Sequence, residues 1–264
     1  MSGRKRRRLD NTVAAIQQRY GAQALQRGAR TLRPARGPHI STGFPTLDAV
    51  TGCDGVPGNA MTLLCGQSTS GKLTVAYKTL AAAQQHGRGG QVAIVDLAHH
   101  SDPDYLARCG IDLARLLLVR HHAGLDVPAL LVDLVRTREV RLILLDNVSD
   151  LLAERGMAGR FNATLGPLTQ ALRTTACGLL LVDELQPPWQ RWLTGGALLN
   201  RRRSLQQSVA LHIVIRRERW LREAGVLVGY RAQARVERSR WRHDQPDASV
   251  EIRFNGAVRA QGTW

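Results

Sequence analysis

The stretch GQSTSGKLT, Gly66 to Thr74, lies between an apolar run, AMTLLCG, and a helix-forming segment, KLTVAYKTLAAAQQHG. Gly66, four intervening residues, Gly71 and Lys72 have the spacing of a phosphate-binding loop. In such a loop, backbone N–H groups and a helix start face the β-phosphate while the lysine neutralises the outer phosphates. The pattern next requires a hydroxyl that ligates Mg²⁺, and Leu73 holds that place. Leucine offers no oxygen, and Thr74, one helical step on, is turned away by about 100°. With Gln67, Ser68, Thr69 and Ser70 between the glycines, residues 66–74 read as a nucleotide-binding loop with weakened magnesium placement.

Outward from this loop, short aliphatic runs alternate with helical segments, the pattern of a mostly parallel sheet with crossover helices on both faces. QVAIVDLA, RLILLDN and GLLLVDE are strands whose near-continuous aliphatic content predicts burial on both faces, LARLLLVRH ends in another, and VPALLVDLVRTRE is an amphipathic helix. The C-terminal runs VALHIVIRRERWLRE, VLVGYRAQARVERSRW and ASVEIRFN alternate apolar and polar residues and predict an antiparallel extension of the sheet. The fold class is α/β. Asp146 ends RLILLDN at the carboxyl edge of the sheet, where ligands bind in open α/β folds, and is the candidate metal-orienting carboxylate; an ordinary strand-end cap is the alternative.

Before the core, residues 9–28 carry Val13, Ile16, Tyr20 and Leu25 at helical spacing, with Asp10 or Asn11 as the expected cap. The preceding run Arg4 to Arg8 reads as a disordered phosphate-contacting arm or a solvated tail, and GARTLRPARGPH as a linker. The division is residues 1–36 for tail, helix and linker and 37–264 for the core. A formal charge of +16, from 37 Lys and Arg against 21 Asp and Glu, points to a polyanionic partner, with nucleic acid ahead of a membrane surface. Cysteines 53, 65, 109 and 177 form no close pairs, so neither disulfides nor zinc are expected, and the compartment expected is the cytoplasm. No apolar run approaches the ~20 residues of a membrane span.

At this point the residues resemble a family, the bacterial RecA recombinases and their shorter paralogues. HISTGFPTLDAVTGCDGVPGNAMTLLCGQSTSGKLT is similar to the family's approach to its glycine loop, VAIVDLAHHSDPDYLARCGID continues the likeness, and Thr194, Gly195 and Gly196 carry it past a later loop. The likeness covers nearly the whole chain, without a counterpart to the separate C-terminal domain. It implies a RecA-like phosphate-loop NTPase core that binds ATP, with Asp102 and Tyr105 contacting adenine. Arg238 and Arg240 fall at positions that reach a neighbouring subunit's phosphates. Residues 9–28 become an oligomerisation helix of a homo-oligomer or filament.

The departures are as specific as the matches. The family's water-activating glutamate falls at Ala98, which cannot accept a proton. Asn147 follows Asp146 where serine is usual, and Glu184 replaces a glutamine that senses the outer phosphate; Glu184 is also the candidate substitute base. Two segments match DNA-binding loops. The first, Ala153 to Gly166, offers Arg155 and Arg160 in a flexible setting. The second, QPPWQRWLTGGALLNRRR, offers Trp189, Arg191, Trp192, Arg201, Arg202 and Arg203, rings that stack on bases beside cations that hold phosphates. The resulting expectation is a DNA repair and recombination protein that binds ATP, Mg²⁺ and single-stranded DNA, with double-stranded DNA a further candidate. It assembles with itself or a RecA recombinase, and its hydrolysis is impaired. The alternatives are an active DNA-dependent ATPase performing strand exchange and an accessory protein acting through protein partners.

Overall fold

β3, Met61–Gly66, lies inside the sheet with every residue buried. It pairs in parallel with β7, Gly178–Glu184, on one side and with β8, Leu211–Glu223, on the other. This computed structural model describes residues 3–21, 37–85, 90–120, 122, 124–185, 204–242, 244 and 246–254. Beyond β7 the parallel order continues through β6, Val140–Asp146, and β4, Gln91–Asp96, to β5, Leu116–Arg120. On the other side β9, Val226–Ser239, and β10, Asp247–Arg253, run antiparallel, completing eight strands. The fold is therefore the expected mostly parallel α/β sheet with an antiparallel extension. A two-stranded ribbon of β1, His39–Ile40, and β2, Val56–Pro57, precedes it.

The aliphatic runs are continuous because each strand feeds two cores. Leu142, Leu144, Leu180 and Val182 face one side, where they pack with α3, Lys72–Gln85, and the short α2, Pro45–Thr51. Ile143, Leu145, Leu179 and Leu181 face the other, against α5, Val127–Arg136, α6, Val148–Ala153, and α7, Met157–Thr174. With both faces covered, the middle positions of the central strands are apolar apart from the buried Thr62 of β3. In β10 only Ala248, Val250 and Ile252 are buried, and the residues between them are exposed. Helix α4, Pro103–Arg108, lies between β4 and β5 in the chain. The cysteines at 53, 65, 109 and 177 are all buried.

The chain divides into two units, Met1–Ala35 and Arg36–Trp264. Within the first, α1 runs Gly3–Tyr20, which corrects the expected start: the basic run Arg4 to Arg8 is helical, and Asp10 sits mid-helix instead of capping it. Arginine and lysine are good helix formers, so charge alone did not argue against helix there. Leu25 lies outside the described residues.

A second correction concerns Ala153 to Gly166. Only residues 154–156 form a connection, and the rest opens α7, whose Met157, Phe161 and Leu165 are buried. The glycines suggested a loop, yet Met157, Phe161, Leu165, Leu168 and Leu172 recur at helical spacing, and burial of that stripe outweighs local glycine. Phe161 is fully buried. Phe161→Ala is expected to lower unfolding free energy by about 3–5 kcal/mol in urea titration; a loss below about 1 kcal/mol would return the segment to a loop.

Candidate nucleotide-binding site

The loop is shaped by its backbone. Thr69 and Gly71 adopt positive φ, +58° and +96°, and the amide of Val75 donates to Gly71 O at 3.0 Å, so α3 begins immediately after the glycine. A Cβ on Gly71 would run into Ile252 Cδ1 of β10 and lie 2.9 Å from Tyr230 Oη of β9, so the antiparallel extension packs against the loop from outside. Lys72 is buried and its ammonium donates to Gln67 O at 3.2 Å. Ser70 Oγ is buried without a partner among the described residues. Leu73 is half-buried and packs on the apolar core beneath α3.

Beside the loop, at the strand ends, two carboxylates share a register, Asp96 on β4 and Asp146 on β6. Both are buried. Asp96 accepts from the amides of His100 at 3.1 Å and Ser101 at 2.9 Å, which commits it to closing the turn after β4. Asp146 Oδ2 has no partner among the described residues. Burial first, then the Asp96 carboxylate, pushes the Asp146 pKa up to about 6, while His100 and Lys72 pull against that rise. An unpaired buried carboxylate beside a lysine has the chemistry that suits a cation, and Leu73 offers no hydroxyl beside it.

The other expected residues divide. Ala98 lies in the turn after β4, half-buried. Glu184 stands opposite Gly66 in the β3–β7 register. Asn147, joined to Asp146 by a cis peptide bond, caps α6 by accepting from Asp150 N at 2.9 Å. Asp102 caps α4 through Asp104 N at 3.0 Å and does not line the adjacent cavity. Tyr105 does line that cavity of about 500 Å³, where its hydroxyl bonds Thr74 Oγ1 at 2.7 Å. Thr74, misplaced for a metal, thus anchors the aromatic wall. Arg155 and Arg160 are exposed, with Arg160 3.7 Å from Asp126. Trp189, Arg191, Trp192, Arg201, Arg202 and Arg203, with Thr194, Gly195 and Gly196, lie outside the described residues.

Reading the sequence missed the contribution of the extension. Tyr230, Ile252 and Phe254 line the cavity with Tyr105. Arg217 on β8 donates to Thr69 Oγ1 of the loop at 3.0 Å while its guanidinium lies 4.4 Å over Trp220. Trp220 in turn meets Tyr230 edge-on at 5.7 Å. Alternating hydrophobicity had marked these strands, but no local signal ties residue 217 to residue 69.

The family model of the RecA N-terminal domain matches residues 7–178, well over half of the chain. The chain belongs to the RecA family of recombination and repair proteins. It is similar to Protein RecA of Streptomyces venezuelae, 27% identical over 99% of this chain and 72% of the relative. Protein RecA of Streptomyces coelicolor is 26% identical, with 100% and 78% covered, and that of Chlorobium limicola 24%, with 98% and 77% covered. Among the described residues, no helix is long and apolar enough to cross a membrane.

The raised pKa of Asp146 has a signed consequence. The stabilisation from holding its proton is complete below the unfolded value near 3.8 and is lost as pH rises through about 6. At pH 7.5 the ionised group then burdens the folded chain by about 3 kcal/mol. In magnesium-free buffer, Asp146→Asn is expected to raise unfolding free energy by about 2–3 kcal/mol at pH 7.5 and by about 1 kcal/mol at pH 4.5. Urea titrations at both pH values check this, and a variant less stable at both would contradict it.

Proposed function

We propose that this RecA-family chain binds ATP at residues 66–74, binds single-stranded DNA, assembles into filaments or with a recombinase, and hydrolyses ATP slowly. The observation that carries the reading is the pairing of an intact phosphate cradle with Ala98 at the turn where a base is needed. The amides opening α3 and the buried Lys72 attract phosphates, and the aromatic cavity beside Thr74 and Tyr105 suits a base. Asp146 is the side chain that would hold magnesium, which supplies charge neutralisation at the outer phosphates when bound.

Cleavage needs a group that takes a proton from water or aims it. Ala98 has none, and a missing base alone lowers rate by ~10²–10⁴. Half-buried in the core beneath α3, Leu73 is fixed away from oxygen chemistry. Single-strand binding is supported by the net charge of +16 and by the arginine- and tryptophan-rich stretch at 186–203. A second reading, with Glu184 as base, is favoured by one observation: its place beside Gly66 brings a carboxylate to the loop's first residue.

ATP turnover with and without single-stranded DNA tests the proposal. The natural protein should turn over slowly, and Ala98→Glu with Leu73→Thr should accelerate it at least about tenfold. Equal turnover in both proteins would overturn the impaired site. If Glu184→Gln abolished that turnover, the second reading would replace it.

A further inference from the structure

The antiparallel extension brings a cation to the loop from outside the parallel sheet. Ile215 of β8 pairs with Gly66 in parallel register, so Arg217 follows two residues after β8 has met the loop's first residue. The β8–β9 pairing shifts between Arg217 and Arg219, an irregularity of the kind that re-aims side chains. Arg217 Nη1 donates to Thr69 Oγ1 at 3.0 Å. Its guanidinium lies 4.4 Å over the Trp220 ring, and Trp220 is in turn set edge-on to Tyr230. Burial raises the pKa of the Tyr230 hydroxyl, and a hydrogen bond with Thr74 and the charge of Arg217 pull against that rise. Tyr230 is the residue that crowds Gly71, so the field of Arg217 is felt at both Thr69 and the end of the loop.

Other arginines of these strands are matched by acids. Glu251 meets Arg231 at 2.5 Å, Glu223 meets Arg253 at 2.8 Å, and the charge of Glu218 acts on Arg231. Arg217 has no ion pair among the described residues. A neutral hydroxyl takes one of the five N–H groups of its guanidinium, and stacking on Trp220 fixes the plane without consuming any. Such a side chain is ordered in advance and keeps forked donors for an oxyanion. Two cations thus touch the loop, Lys72 through Gln67 O and Arg217 through Thr69 Oγ1.

We infer that Arg217 binds the outer phosphates of a nucleotide held by the same chain's loop, with Trp220 as the platform that positions it. The inference rests on the reading of residues 66–74 as a triphosphate site and adds a residue to it. Thr69 Oγ1 marks the acceptor position next to which a phosphate oxygen takes up the remaining guanidinium donors. The role answers the substitution at 73: where no hydroxyl helps to place a divalent ion, a fixed guanidinium supplies positive charge from the protein itself. Triphosphate binding in this chain then leans less on magnesium and more on Arg217.

The test is calorimetric titration of the full-length chain with a non-hydrolysable ATP analogue, once with Mg²⁺ and once in EDTA. The natural protein should bind in both buffers, and Lys72→Ala should abolish the heat. Arg217→Gln should weaken binding about tenfold in EDTA and distinctly less with Mg²⁺, because the ion then shares the neutralisation. Arg217→Lys should restore part of the loss. Arg216→Gln, the same change of charge on the adjacent exposed residue, should leave affinity unchanged. Should Arg217→Gln unfold early in a thermal scan, Arg217→Met, which keeps an apolar stem over Trp220, replaces it with the same loss expected. A loss equal in the two buffers, as for a residue that only props the loop, overturns the inference. Binding that needs Lys72 but ignores Arg217 sinks the inference alone, whereas no heat in the natural protein, or heat indifferent to Lys72→Ala, sinks the triphosphate reading and the inference with it.

Discussion

Everything at the candidate site is positioned by β3 being held between β7 and β8 in parallel register. Parallel neighbours place the ends of β3, β7, β6 and β4 along one edge, so Gly66, Glu184, Asp146 and Asp96 arrive together without any loop having to carry them. Both faces of these strands are covered and, Thr62 apart, apolar, so the acids of this edge stand at the strand ends. The loop gains a second support from outside the parallel sheet. Ile252 and Tyr230 crowd Gly71, and Arg217 ties Thr69, so the antiparallel extension is part of the site's wall.

Electrostatics at that edge is balanced around an incoming charge. Burial, then the Asp96 carboxylate beside it, raises the proton affinity of Asp146, whose Oδ2 has no partner among the described residues, while Asp96 accepts from two amides. Lys72, held by Gln67 O, supplies the nearby positive charge. A divalent ion and a triphosphate would relieve both groups at once, which argues for a pocket kept for binding. The alanine side chain at 98 carries no proton acceptor, and Leu73 packs on the apolar core. The function proposed above therefore separates binding from cleavage.

Much of this was legible in the residues. Continuous aliphatic runs implied double-sided burial, and alternation in the last three strands implied the antiparallel extension, because those patterns follow directly from side-chain direction in strands. The glycine spacing located the loop, and Asp146 was visible as an acid at a strand end. Asp102 was harder: its likeness to an adenine contact does not register its capping of α4, a geometric role. Ala153 to Gly166 misled because its glycines outweighed a helical stripe anchored by Phe161. Arg217 could not be found, since it acquires meaning only from partners brought close by the fold.

The account's central claim is that the pocket holds a nucleoside triphosphate even though it is poorly equipped to cleave one. Isothermal titration of the whole chain with a non-hydrolysable ATP analogue and Mg²⁺ addresses it most directly. A saturable heat that disappears in Lys72→Ala is the result predicted. No heat with any adenine triphosphate, or a heat indifferent to that substitution, would contradict it.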